Sequence, residues 1–258
     1  MSTKSVILLC LFALLLGFLF SQPVLAQLGP TNEKGVTIGH VHLMVRDPEA
    51  HKKLWVDIFD ARVAYAGKLE MLKLPGTIIL LAKGTPADSG LPTVDHFALL
   101  VRDLAAVRKK LASANIPLSD DSIATFPDGV RVELIEDKGL AVPVAFGHFH
   151  IFTDDTGMIL NWYQNNFGIR FPSARNFPGG EMRFTAQANP KRVPTKGYPI
   201  DHISFEVKEL EEFCKKLEAQ GIKLDMAIIN APAIGLKVTF VTDPIGTRIE
   251  LTEGLADK

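Results

Sequence analysis

Cysteine is nearly absent from this chain of 258 residues, which has only Cys10 and Cys214. Cys10 lies in the apolar N-terminal stretch, so the remainder keeps one thiol. An internal disulfide is excluded, and a hydrophobic core must supply the stability. No excess of either charge is present: 28 Lys and Arg face 29 Asp and Glu, without an acidic or basic block. That balance speaks against a nucleic-acid or anionic-membrane partner. Beyond the first 26 residues no apolar run is long enough to cross a bilayer. The N-terminal run, residues 6–20, falls short of the roughly 20 residues a spanning helix needs. With Lys4 before it and Val24-Leu25-Ala26 after it, the segment 1–26 is expected to be a cleaved signal peptide. The expectation is an exported protein, periplasmic or secreted, with no membrane association after cleavage.

What is present is a fourfold repeat. His40, His96, His148 and His202 each open a short apolar strand, and an acidic residue follows seven positions later at Asp47, Asp103, Asp155 and Glu209. Each strand leads into a segment of helical periodicity and then into strand-like runs parted by Pro-Gly or Asp-Gly turns. The unit reads βαβββ. In the first, the helix is predicted over 48–59 and strands over 61–65, 69–74 and 77–82. In the second, a helix over 104–114 precedes a strand over 130–135. The third has a shortened middle, and the fourth places a helix over 210–220 that Gly221 ends.

A second repetition lies above the first. Units one and three share Gly-His-x-His, whereas units two and four share Asp-His and end alike, as Arg131-Val132-Glu133-Leu134 and Arg248-Ile249-Glu250-Leu251. The order A-B-A-B predicts a duplication with two α+β domains in tandem, 36–138 and 145–254, each of two βαβββ units.

A histidine repeated at one structural position points to a metal, which requires an imidazole, rather than to packing, which does not. Glu133 and Glu250 sit in otherwise apolar strands, where a carboxylate is costly unless paired or bound to an ion. Two histidines and one carboxylate form a facial set that leaves open positions on the ion. Pairing of consecutive units predicts the triads His40/His96/Glu133 and His148/His202/Glu250. The matching last-strand positions of units one and three hold Leu80 and Arg183, so three protein ligands per site are expected. Arg183 is a candidate to bind a substrate carboxylate. His42 and His150, each two residues past a ligand and on the same strand face, are candidate acid/base groups, outer-sphere groups or extra ligands. Trp55, Trp162 and Tyr163 are expected in the core, with Cys214 as a buried small hydrophobe.

The βαβββ units, the strand-opening histidines and the closing run Val241-Thr242-Asp243-Pro244-Ile245-Gly246-Thr247-Arg248-Ile249-Glu250-Leu251 resemble the vicinal oxygen chelate superfamily. This group includes glyoxalase I, extradiol dioxygenases, methylmalonyl-CoA epimerase and fosfomycin- and bleomycin-resistance proteins. The resemblance implies paired units that curve into a cup around a divalent ion, with His40, His96, His148, His202, Glu133 and Glu250 as its ligands. The ion would chelate two neighbouring oxygens of a small-molecule substrate. It implies a metal-dependent enzyme, with extradiol-type dioxygenase chemistry on Fe(II) or Mn(II) as the leading expectation. The alternatives are a glyoxalase- or epimerase-type isomerase or lyase on Zn(II), Ni(II) or Co(II), and a non-catalytic drug- or metabolite-binding protein. The chain departs from the dioxygenases in that 170–187 has no histidine and 223–243 has neither histidine nor tyrosine. An alternative pairing, unit one with four and two with three, gives the triads His40/His202/Glu250 and His96/His148/Glu133.

Overall fold

The computed structural model describes residues 28–171, 176–187 and 191–258. The proposed signal segment, with Cys10, lies outside the described residues. In the first unit β1 (Val36–Val45) is followed by α1 (Pro48–Phe59), β2 (Arg62–Ala66), β3 (Leu69–Leu74) and β4 (Thr77–Lys83). The second comprises β5 (Val94–Val101), α2 (Leu104–Ser113), β6 (Ile123–Thr125) and β7 (Arg131–Glu136). The third keeps β8 (Val144–Thr153), α3 (Thr156–Phe167) and β9 (Glu181–Ala186). In the fourth are β10 (Ile200–Val207), α4 (Leu210–Ala219), β11 (Ile229–Ala231), β12 (Leu236–Thr242) and β13 (Arg248–Glu253).

The acidic half of the fourfold repeat is structural. Asp47, Asp103 and Asp155 are the N-caps of α1, α2 and α3, and their carboxylates accept hydrogen bonds from the orphan N–H groups of the first turn. Glu209 occupies the same position before α4 in a left-handed conformation and makes no such bond.

The strands form an eight-stranded sheet, β11-β12-β13-β10-β1-β4-β3-β2, and a five-stranded one, β6-β7-β5-β8-β9. Unit one therefore shares its sheet with unit four, and unit two with unit three. At the centre of each sheet the two histidine strands run antiparallel, β1 against β10 and β5 against β8, and each unit's last strand lies parallel to its first. The glycine of Gly-His-x-His permits this close central contact. A Cβ on Gly39 would lie 2.6 Å from Ser204 Oγ, and one on Gly147 would lie 3.2 Å from the Ala98 Cβ.

The helix faces follow the other partnership. Trp55 of α1 is fully buried and stacks on Phe126, with ring centroids 5.1 Å apart, and on Phe97 of β5. Phe167 of α3 packs against Phe205 of β10 and Phe213 of α4. Consecutive units thus share an apolar core behind the sheets, while the cups in front draw on both halves of the chain. Tyr163 and Cys214 are buried, and Trp162 packs partly buried against the same core.

Candidate metal centres

The cross-half pairing brings His40, His42, His202 and Glu250 together in the eight-stranded sheet and His96, His148, His150 and Glu133 in the five-stranded one; in each group the donor atoms lie within 4.8 Å of one another. The triads expected from pairing consecutive units are not formed. His40 and His96 stand in different sheets, as do His148 and His202, and the alternative partnership is the one present. Each group also has four members rather than three. Leu80 and Arg183 do lie beside the histidine strand, in register with His42 and His150, but the fourth donor comes from those histidines themselves.

In the first group His40 Nε2 is 3.0 Å and His202 Nε2 is 2.7 Å from the same oxygen, Oε2 of Glu250. His202 Nδ1 is 2.6 Å from Asp201, which also accepts from Arg248 at 3.0 Å and from the Gly197 N–H at 2.7 Å. The second group repeats the pattern. His148 Nε2 and His96 Nε2 lie 3.1 and 3.4 Å from Oε2 of Glu133, and His96 Nδ1 is 2.9 Å from Asp95. Asp95 in turn is paired with Arg131 and, at 3.1 Å, with Arg192. A carboxylate on Nδ1 sets the tautomer that turns Nε2 toward the cup, the arrangement common behind metal-ligating histidines. The repeated Asp-His and Arg-x-Glu pairs were visible in the sequence as repeats, without a sign of this role.

Four of the six imidazoles are held in the neutral form that binds a cation. Burial pushes the imidazoles of His40 and His148 down, His42 to about 3 and His150 to about 4, so all four are neutral near neutrality. Burial would also lower His202 and His96, but Asp201 and Glu250, and Asp95 and Glu133, outweigh it and raise them. His148 and His96 hold the Glu133 carboxyl well below the usual range. Burial opposes ionisation of Glu250, but His40 and His202 overcome it. The residues fit a divalent ion: His40 Nδ1 and His42 Nδ1 are buried without a hydrogen-bond partner among the described residues, and in each group three histidines gather at one carboxylate. Imidazole and carboxylate donors suit first-row divalent metals.

The two cups differ in their walls. His150 has partners on both sides, His96 at 3.1 Å and Thr185 at 2.7 Å, and Arg183 stands next to it, half exposed and paired with Glu181 at 3.1 Å. His42 has Leu80 and Ala82 where His150 has Arg183 and Thr185. Its cup is lined by an apolar cluster of Ala66, Met71, Ile78, Leu80 and Leu255.

The family model of the Glyoxalase/Bleomycin resistance protein/Dioxygenase superfamily matches residues 145–251, which span units three and four. Units three and four are thereby matched to this vicinal oxygen chelate superfamily. Its similarity to "Glyoxylase I 4" of Arabidopsis thaliana is 28% identity over 130 residues, 45% of this chain and 75% of that protein. The fold of glyoxalase I from Zea mays superposes with a TM-score of 0.67 at 14% identity, over 86% of this chain and 94% of the other. A putative dioxygenase from Bacillus subtilis gives 0.64 at 14% identity, over 89% and 86%. At such identities the likeness to these structures is one of fold. It extends over most of the chain, beyond the part that the family model matches.

Proposed function

We propose that the protein is an exported metal-dependent isomerase or lyase of the glyoxalase or epimerase type, acting on a small molecule with two neighbouring oxygens. The observation that carries this reading is the fourth donor in each group, His42 or His150. An ion that accepts six donors and receives four from the protein has two left, the number a substrate takes up through two adjacent oxygens. Nothing then remains for dioxygen, which separates this reading from the extradiol one. Three imidazoles per site likewise favour Zn(II), Ni(II) or Co(II) over Fe(II) or Mn(II).

When bound, the ion supplies Lewis acidity, which eases removal of a proton next to a carbonyl. The residues divide the remaining work. Asp201 and Asp95, anchored by Arg248 and Arg131, orient His202 and His96. Glu250 and Glu133 each meet their histidines through Oε2 alone, and Oε1 has no partner among the described residues. Oε1 is the proton acceptor we assign. Arg183, on the open side of the five-stranded cup, is placed to bind a substrate carboxylate bidentately once it parts from Glu181.

The test is to incubate metal-loaded protein in deuterated buffer with small 2-oxo aldehydes, 2-oxo acids and catechols, following deuterium incorporation by NMR and oxygen with an electrode. Exchange of the proton next to a carbonyl without oxygen uptake is expected. Catechol-dependent oxygen consumption would establish the dioxygenase reading instead. Export is tested separately by the N-terminus of the native protein, expected at Gln27.

A further inference from the structure

Lys73, on β3, is only 7% exposed, and no carboxylate or other acceptor among the described residues meets its ammonium. Its place in the sheet is fixed by register. Lys73 pairs with Ile78, Ile78 pairs with His40, and Arg62 flanks Lys73 on the other side. Paired residues share a face, so Lys73 stands on the cup side, two strand spacings, roughly 10 Å, from the backbone of His40. Its neighbours on that face are Met71, Ile78 and Leu80 of the apolar cluster, while Leu72 and Leu74 point to the helix side. Burial and the positive charge of Arg62 both push the ammonium pKa down, and nothing raises it. The stem of Lys73 is buried against apolar side chains while its ammonium, which is not among the buried unpartnered atoms, is free to meet an arriving anion.

We infer that Lys73 is the anion-recognition residue of the centre at Glu250, and that the substrate of this centre carries a carboxylate in addition to its two chelating oxygens. The inference rests on the metal-chelate reading above and narrows its substrate class to small oxo or hydroxy acids. A carboxylate suits the site because one ammonium neutralises one negative charge, and the neighbouring apolar wall strengthens that attraction by keeping water away. In the five-stranded cup Arg183 provides a cation on the equivalent flank, although it is half exposed and already paired with Glu181.

The experiment uses full-length Glu133→Ala protein loaded with Co(II), in which only the centre at Glu250 retains its carboxylate. Two chelating probes are titrated by their effect on the visible cobalt spectrum, neutral acetohydroxamic acid and succinic monohydroxamate, which adds a carboxylate. The carboxylate-bearing probe is expected to bind roughly 10- to 100-fold tighter, as a charge-assisted contact provides. Lys73→Met should abolish that preference while leaving cobalt content and acetohydroxamate affinity unchanged, and Lys73→Arg should retain most of it. Lys73→Gln replaces the methionine variant if that fails to fold. The melting temperature of Lys73→Met should be unchanged or higher. A preference that survives loss of the amine, or that is missing from the parent, overturns the inference, as does a lower melting temperature with the preference intact. If neither probe alters the cobalt spectrum, the chelate reading itself falls and takes the lysine's role with it.

Discussion

At the scale of single residues, His42 and His150 occupy equivalent positions yet differ in their support. His42 Nδ1 is buried and unpartnered, whereas His150 is held by Thr185 and His96. His42→Gln is therefore expected to release the ion from its site and lower the thermal stability of the metal-loaded protein, because ion binding is linked to folding. A variant with full metal content would remove His42 from the donor set. Behind the donors, Asp201→Asn should keep the fold while weakening metal affinity roughly 10- to 100-fold, since His202 loses the acceptor that fixes its tautomer. Equilibrium dialysis against a chelator measures this, and unchanged affinity would make Asp201 a mere salt-bridge partner of Arg248. The sequence displayed all eight donors and both aspartates. It did not reveal that His42 and His150 stand in the same ring of donors as the strand-opening histidines, because a two-residue step shows a shared face and not a shared distance.

At the scale of elements, sequence periodicity and structure agree closely: α1 spans Pro48–Phe59 and β3 spans Leu69–Leu74, as the pattern predicts. The acidic residue after each histidine was part of the same signal, but at Asp47, Asp103 and Asp155 it serves as a helix cap, and Glu209 makes no capping bond. The turn from β12 to β13 gives a pH-dependent test. Asp243 is buried, and its carboxylate accepts from Tyr163 of α3 at 2.9 Å and from the N–H groups of Ile245 and Thr247. Burial pushes its carboxyl up to about 6, from 3.8 for an ordinary aspartate, despite those bonds. Between these values the folded protein holds a proton that the unfolded chain has released. The contribution of Asp243 to stability is complete below about pH 4 and is lost as pH rises through 6, on the order of 3 kcal/mol for a shift of this size. Asp243→Asn, compared with the parent by urea unfolding from pH 4 to 7.5, should gain relative stability as pH rises through that window. A difference that is flat with pH would refute it.

At the scale of the molecule, the chain combines two partnerships. Helix-side cores join neighbouring units, as Trp55 does with Phe126, whereas each sheet joins units from opposite halves, as β1 does with β10. Local patterns revealed the units and their duplication, but sheet partnership depends on contacts between residues far apart in sequence, which periodicity does not encode. Lys73 was hidden for the same reason, since its lack of an anion is a property of the folded cup. Because each centre draws ligands from both halves, segments 28–138 and 144–258 produced separately are expected to bind no ion tightly. Mixing them should restore binding if they reassociate. Tight binding by either half alone would contradict the cross-half sites.

The central claim is two metal centres, each completed by a carboxylate from the last strand of unit two or unit four. Metal analysis of anaerobically purified native protein and its Glu133→Ala and Glu250→Ala variants tests it most directly. The account predicts two divalent ions per chain in the native protein, one in each single variant and none in the double variant. A native protein with no tightly bound ion, or with a content insensitive to both substitutions, would contradict it.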